Sequence, residues 1–254
     1  MATVLSGGTP AELAQAPTAQ GAADPVRVLF IGDSSRSQHG AVFGVPLVLR
    51  GHGSKTSLDH VAEALGTHLA PGVALRVASF AERFLVSPSW VTTREDVRRA
   101  FDAVDQTEGG YTVGPSPIWD AVYEGADTLA PEPGRKFMLL VTDGAATANT
   151  VGFESALAHV RASGITVHVA STLTSPYARD EWGPSPLTRL RRLAAETGGQ
   201  YREVGKGGQQ PKLWEVLGEL MDLCRVDPGH EWDARRAAEG ARGNAPKTRT
   251  SGSD

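Results

Sequence analysis

The chain has 254 residues, room for one domain of ordinary to large size or for two small ones. Hydrophobic residues make up 40% of it and charged residues 21%, the balance of a soluble globular protein. A net charge of −4 gives no electrostatic reason to expect nucleic acid or an anionic membrane as partner, and a single cysteine, Cys224, excludes an internal disulfide and any zinc site built on several thiolates.

Residues 1–24 are rich in Ala, Gly, Thr, Pro and Gln, without apolar periodicity, and read as a tail. They lack a basic start followed by an apolar core, so no secretory signal is expected and the cytoplasm is the default compartment. No run approaches the ~20 apolar residues that cross a bilayer. Residues 26–31 (VRVLFI) are nearly continuous in apolar character and stop at Gly32, which suits a strand buried on both faces. Leu58, Val61, Ala62, Leu65 and Leu69 share one helical face. Residues 73–80 alternate as a strand, and 83–86 pair back on it as an antiparallel edge. Thr93 caps a helix carrying Val97, Ala100, Phe101 and Val104, with Asp96 at the acidic end of a capping box. Pro117 sits at the first position of a helix through Ile118, Ala121, Val122, Gly125, Ala126 and Leu129.

A second buried strand spans 137–141 (FMLLV). Phe153, Ala156, Leu157 and Val160 then form a helix that stops at Gly164. Residues 165–170 are a strand again. Leu187, Leu190, Leu193 and Ala194 form a helix ended by Gly198 and Gly199, and 201–204 reads as an edge strand. Leu213, Val216, Leu217, Leu220 and Cys224 give the closing helix, where Cys224 is expected to be a buried small hydrophobe. Residues 227–254 are charged at first, then small and polar, and read as a second tail. The alternation predicts one doubly wound α/β domain over 25–226, with a mainly parallel sheet covered by helices on both faces. Ligands of such sheets bind at the carboxyl ends of the strands.

Three loops leave those ends, after Ile31, after Val141 and after Ala170. The first reads Gly32-Asp33-Ser34-Ser35-Arg36-Ser37, in which Asp33, Ser35 and Ser37 alternate and can point together. The loop after FMLLV adds Thr142-Asp143-Gly144, a second carboxylate at the same edge, and Ser116 stands just ahead of the Pro117 helix. Carboxylates with hydroxyls are hard oxygen donors, which favours Mg²⁺ or Mn²⁺ over softer-site metals.

The pattern D-x-S-x-S at 33–37, a hydroxyl at 116 before P-I-W-D-A-V, and T-D-G at 142–144 resembles the metal-ion-dependent adhesion site (MIDAS) of the von Willebrand factor A (vWA) domain. The resemblance runs from about 26 to 225 and includes G-I-T-V-H-V-A at 164–170 and L-A-A-E-T-G-G-Q-Y at 193–201. It implies a metal shell of Asp33, Ser35, Ser37, Ser116 and Asp143, the last directly or through a water. It also implies a protein partner whose Asp or Glu completes the ion, and no enzymatic reaction. Three features depart from the family. Serine replaces threonine at 116 and loses the β-branch that stiffens its rotamer. Pro115 replaces a glycine, and the stretch 38–53, apolar in its middle (AVFGVPLVL), is longer than usual and is read as a rim beside the ion.

A serine hydrolase competes. Gly32-Asp33-Ser34 after a buried strand also resembles the nucleophile block of GDSL-type (SGNH) hydrolases, with Ser34 as nucleophile and Asp227 and His230 in their late D-x-x-H form. The Gly-x-Asn-Asp block that supplies their oxyanion donors is absent, and His230 falls in the polar tail. A haloacid dehalogenase would need a second aspartate where Ser35 stands. No G-x-x-x-x-G-K-[ST] occurs, so Gly205-Lys206-Gly207-Gly208 reads as a loop. His60, His159 and His168 show no ligand spacing, and Arg98, Arg99, Arg189, Arg191 and Arg192 read as solvated helix faces. Tyr177 and Trp182, in the loop 171–186, are candidates either for partner contact or for folding back on that loop.

Overall fold

The computed structural model describes residues 24–35, 41–42, 45–46, 57–104, 114–172, 186–204 and 211–225. Ser37, Tyr177, Trp182, Asp227, His230 and both tails but for Asp24 lie outside them.

A strand that packs helices on both faces has no polar side to show, and Val26–Asp33 (β1) is such a strand, with seven of its eight residues buried. The short antiparallel pair Ala41–Val42 (β2) and Val45–Pro46 (β3) follows, inside the stretch read only as a rim. Then come Ser57–Thr67 (α1), Val73–Phe80 (β4), Phe84–Val86 (β5), Arg94–Asp102 (α2) and Ile118–Leu129 (α3). Arg135–Thr142 (β6), Phe153–Ala162 (α4), Ile165–Ser171 (β7), Pro186–Glu196 (α5), Tyr201–Glu203 (β8) and Leu213–Arg225 (α6) complete the order.

The main sheet has six strands in the order β5-β4-β1-β6-β7-β8, parallel throughout except for β5, which pairs antiparallel on β4. Both faces carry an apolar core. Val28 and Phe30 of β1 point to one side, with buried residues of α1, α2 and α6; Leu29 and Ile31 point to the other, with those of α3, α4 and α5. This is the doubly wound α/β arrangement that the sequence pattern predicts, with its antiparallel edge strand at 84–86.

The chain leaves β1 toward β4 on one side and later returns to β6 on the other, so the direction of winding reverses at β1. A crevice opens at such a reversal, above the carboxyl ends of the strands. Asp33 is the last residue of β1, and Thr142 the last of β6.

Two local expectations shift. Pro117 is the N-cap of α3 rather than its first helical residue, with ψ at 67° and no side-chain cap bond, a one-residue difference of boundary. Thr93 caps α2 as expected, but the Asp96 carboxylate takes the Thr93 hydroxyl itself, at 2.6 Å. Among the described residues no helix is long and apolar enough to cross a membrane.

The turn from α5 into β8 needs two glycines for different reasons. Gly198 has φ of +77° with open space where a Cβ would go, whereas a Cβ on Gly199 would press into the Val167 carbonyl of β7. Backbone strain at the first is worth about 1–2 kcal/mol; at the second β7 itself would have to move. Gly199→Ala should therefore lower the urea midpoint more than Gly198→Ala, and the reverse order would mean that β7 yields there.

Candidate metal centre

Side chains alternate along a strand, so Asp33 shares the face of Leu29 and Ile31 and turns toward the side of α3. Thr142 stands in the same relation to Met138 and Leu140 on the neighbouring strand. The Asp33 carboxylate has no exposed surface. Its Oδ1 accepts the Ser35 amide at 2.9 Å, the local turn that an aspartate favours. Its Oδ2 accepts two hydroxyls, from Ser116 at 3.0 Å and from Thr142 at 2.7 Å. The Ser35 side chain bonds it as well.

No arginine or lysine among the described residues pairs with Asp33. Burial pushes its carboxyl above the ordinary aspartate range, and the bonds from Ser35, Thr142 and Ser116 oppose that only in part. A carboxyl raised in the fold takes up a proton more readily there than in the unfolded chain. Above its folded value the ionised group therefore weakens the fold, and stability returns as pH falls toward the unfolded value near 3.8.

Asp143 follows Thr142 directly and is 4% exposed, with Oδ1 accepting the Ala145 amide at 2.9 Å. The Thr142 hydroxyl accepts the Gly144 amide at 3.1 Å while it donates to Asp33, so one hydroxyl links the two loops. Ser35 and Ser116 thus both bond Asp33, and Asp143 leaves the neighbouring strand one residue beyond Thr142. Ser37 lies outside the described residues. The role of Thr142 escapes a reading that attends to the carboxylate beside it, although its period-2 spacing from Leu140 is the signal that would have found it.

The serine at 116 keeps its place without a β-branch. Its amide donates to the Thr147 hydroxyl at 2.9 Å, and its carbonyl accepts the Thr147 amide at 2.8 Å. Beside Pro115, Gly114 takes the positive φ, +101°, against Glu82.

Among the described residues no three His, Cys, Asp or Glu group as metal ligands. The Asp33 cluster is instead hydroxyl-rich. Its donors are all hard oxygens, and it holds a buried carboxylate that a dication would keep ionised, so the residues fit Mg²⁺ or Mn²⁺. Ser34, the candidate nucleophile, has its hydroxyl buried with no hydrogen-bond partner among the described residues, which do not include His230. His60 packs at a tilt against Trp214, His159 bonds Asp127 at 2.7 Å, and His168 is buried with its pKa lowered to about 4 by desolvation and by Arg202. Cys224 is buried, and desolvation pushes its thiol far up, which leaves it inert.

No protein-family model matches the sequence, and no curated protein matches it. Solved structures do. Proximal thread matrix protein 1 from the mussel byssus, with a zinc-occupied MIDAS motif, is 17% identical at a TM-score of 0.54, over 80% of this chain and 46% of its own. The PilB minor pilin from Streptococcus sanguinis is 12% identical at 0.51, over 82% and 62%. An aerotolerance-related membrane protein from Bacteroides fragilis is 15% identical at 0.50, over 78% and 98%. At these identities the likeness is one of fold, and the fold is vWA-like.

Asparagine at 33 can keep the Ser35 bond through its oxygen and donate its amide to the hydroxyls of Ser116 and Thr142, which turn to accept. In EDTA at neutral pH, Asp33→Asn should melt above the wild type, with the difference shrinking as the pH is lowered. A variant less stable than wild type at neutral pH would mean that the ionised carboxylate is favourable where it lies.

Proposed function

We propose that the chain is a non-enzymatic, protein-binding module that holds Mg²⁺ or Mn²⁺ through Asp33, Ser35, Ser37, Ser116 and Asp143. A partner's Asp or Glu side chain completes the ion. The observation that carries this reading is Asp33 itself, wholly buried among hydroxyl donors with no described cation beside it. Burying an uncompensated carboxylate is costly, and residues that only shaped a turn would not need one there. A neighbour of the same fold is described with a zinc-occupied MIDAS motif, so this architecture accepts a divalent ion.

Two carboxylates against a dication leave the site close to neutral, and hydroxyls add no further charge. An ion so held keeps electrophilicity for an incoming carboxylate. In this chain Asp33 and Asp143 supply the charge. Ser35 and Ser116 supply neutral oxygens, and Thr142 keeps the Asp33 carboxylate aimed by donating to its Oδ2. The rival serine hydrolase needs an accessible nucleophile, and the hydroxyl of Ser34, buried and without a hydrogen-bond partner among the described residues, does not favour it.

A ligand that binds only the folded state raises its stability by linkage, by about 2.7 kcal/mol at a hundredfold excess over Kd. Mn²⁺ or Mg²⁺ should therefore raise the melting temperature of the wild type, EDTA should reverse the rise, and Asp33→Ala should show none. Capture of the protein partner should likewise require the ion and fail in EDTA. A wild type indifferent to both ions would leave a vWA-like scaffold that works without metal.

A further inference from the structure

Ser116 and Asp143 come from different segments, and something must fix one against the other. The loop 143–151, which runs from β6 toward α4, lies against the first turn of α3 through a ladder of bonds. Ser116 and Thr147 exchange two of them. The Asn149 side chain accepts the Trp119 amide at 2.7 Å. Beyond it, the Asp120 carboxylate accepts the Thr150 amide at 2.9 Å, the Thr150 hydroxyl at 3.0 Å and the Val151 amide at 2.6 Å. Between Thr147 and Asn149 stands Ala148, the one non-glycine with positive φ among the described residues, at +54°.

A strained residue keeps its conformation only where its surroundings over-determine it. Here the constraint comes from both sides, with Asp143 closing on Ala145 at one end of the loop and Asp120 gripping Thr150 and Val151 at the other. Without the second grip the stretch 147–151 is tied to α3 at fewer points, Thr147 can shift, and Ser116 follows because Thr147 holds both its amide and its carbonyl.

We propose that Asp120 is a positioning residue for the ion site, one that touches no ion but makes Ser116 and Asp143 a single unit. The proposal rests on the metal reading of those two residues. Groups that bond a metal ligand directly are worth about 10- to 100-fold in metal affinity, and Asp120 acts one step further out, through the loop that carries Thr147.

Two variants separate geometry from charge. Asp120→Asn keeps an acceptor for the two amides and a donor for the Thr150 hydroxyl, whereas Asp120→Ala keeps neither. With both proteins fully folded, Asp120→Ala should weaken Mn²⁺ binding by up to about tenfold, the lower end of the direct-partner range, and Asp120→Asn should bind as the wild type does. Amide hydrogen exchange gives a readout that needs no metal. In Asp120→Ala the amides of Ser116, Thr147 and Trp119 should exchange about tenfold faster, although none of them bonds Asp120. Unchanged exchange at those three would overturn the proposal, as would an asparagine variant that binds Mn²⁺ as weakly as the alanine one. If the wild type bound no Mn²⁺, the metal reading would fall, while exchange at Ser116, Thr147 and Trp119 would still decide whether Asp120 holds the unit together.

Discussion

A carboxylate at the carboxyl end of the central strand, out of contact with water and with no described cation beside it, is the constraint around which the upper rim is arranged. Asp33 ends β1, paired with Phe80 of β4 while the pairing with β6 stops at Gly32, and its side chain is wholly buried on the α3 side of the sheet. Hydroxyls then gather on it from three segments: Ser35 from its own loop, Thr142 from β6 and Ser116 from the approach to α3. Neutral donors lower the cost of burying the charge without cancelling it, and Asp33 stays raised above its ordinary range. A dication would supply the missing compensation. That is the physical content of the metal-binding proposal.

The core beneath is indifferent to this chemistry. Two apolar layers hold the sheet, and Phe30 against Phe101, with ring centroids 5.2 Å apart, is typical of their packing. Charged groups lower on the molecule pair among themselves. Arg27 and Trp90 both bond Glu132, and Arg192 bridges Glu154 and Glu196. Such exposed or half-exposed pairs contribute little each. The contrast with the rim is informative: Glu132, Glu154 and Glu196 find guanidinium partners, while Asp33 finds hydroxyls.

The sheet was legible because its signals are strong and local. Continuous apolar runs at 26–31 and 137–141 can only be strands covered twice, and the glycines at 164, 198 and 199 punctuate where periodicity stops. Of the site, Asp33, Ser35 and Ser116 were legible as a constellation, and they meet in space. What sequence does not carry is the bonding between segments. That Thr142 reaches Asp33, that Thr147 stands in for a β-branch at Ser116, and that Asp120 holds the loop beyond all depend on register between β1, β6 and α3. The β2–β3 pair was missed for a different reason, since two-residue strands leave no periodicity to read.

The most direct measurement is where a metal sits. Crystals grown with Mn²⁺ should give an anomalous difference peak among Asp33, Ser116 and Asp143, with an oxygen from outside the chain, water or a partner carboxylate, completing its shell. A peak elsewhere on the molecule, or none at that rim with Mn²⁺ in excess, would contradict the idea that this buried carboxylate exists to hold an ion.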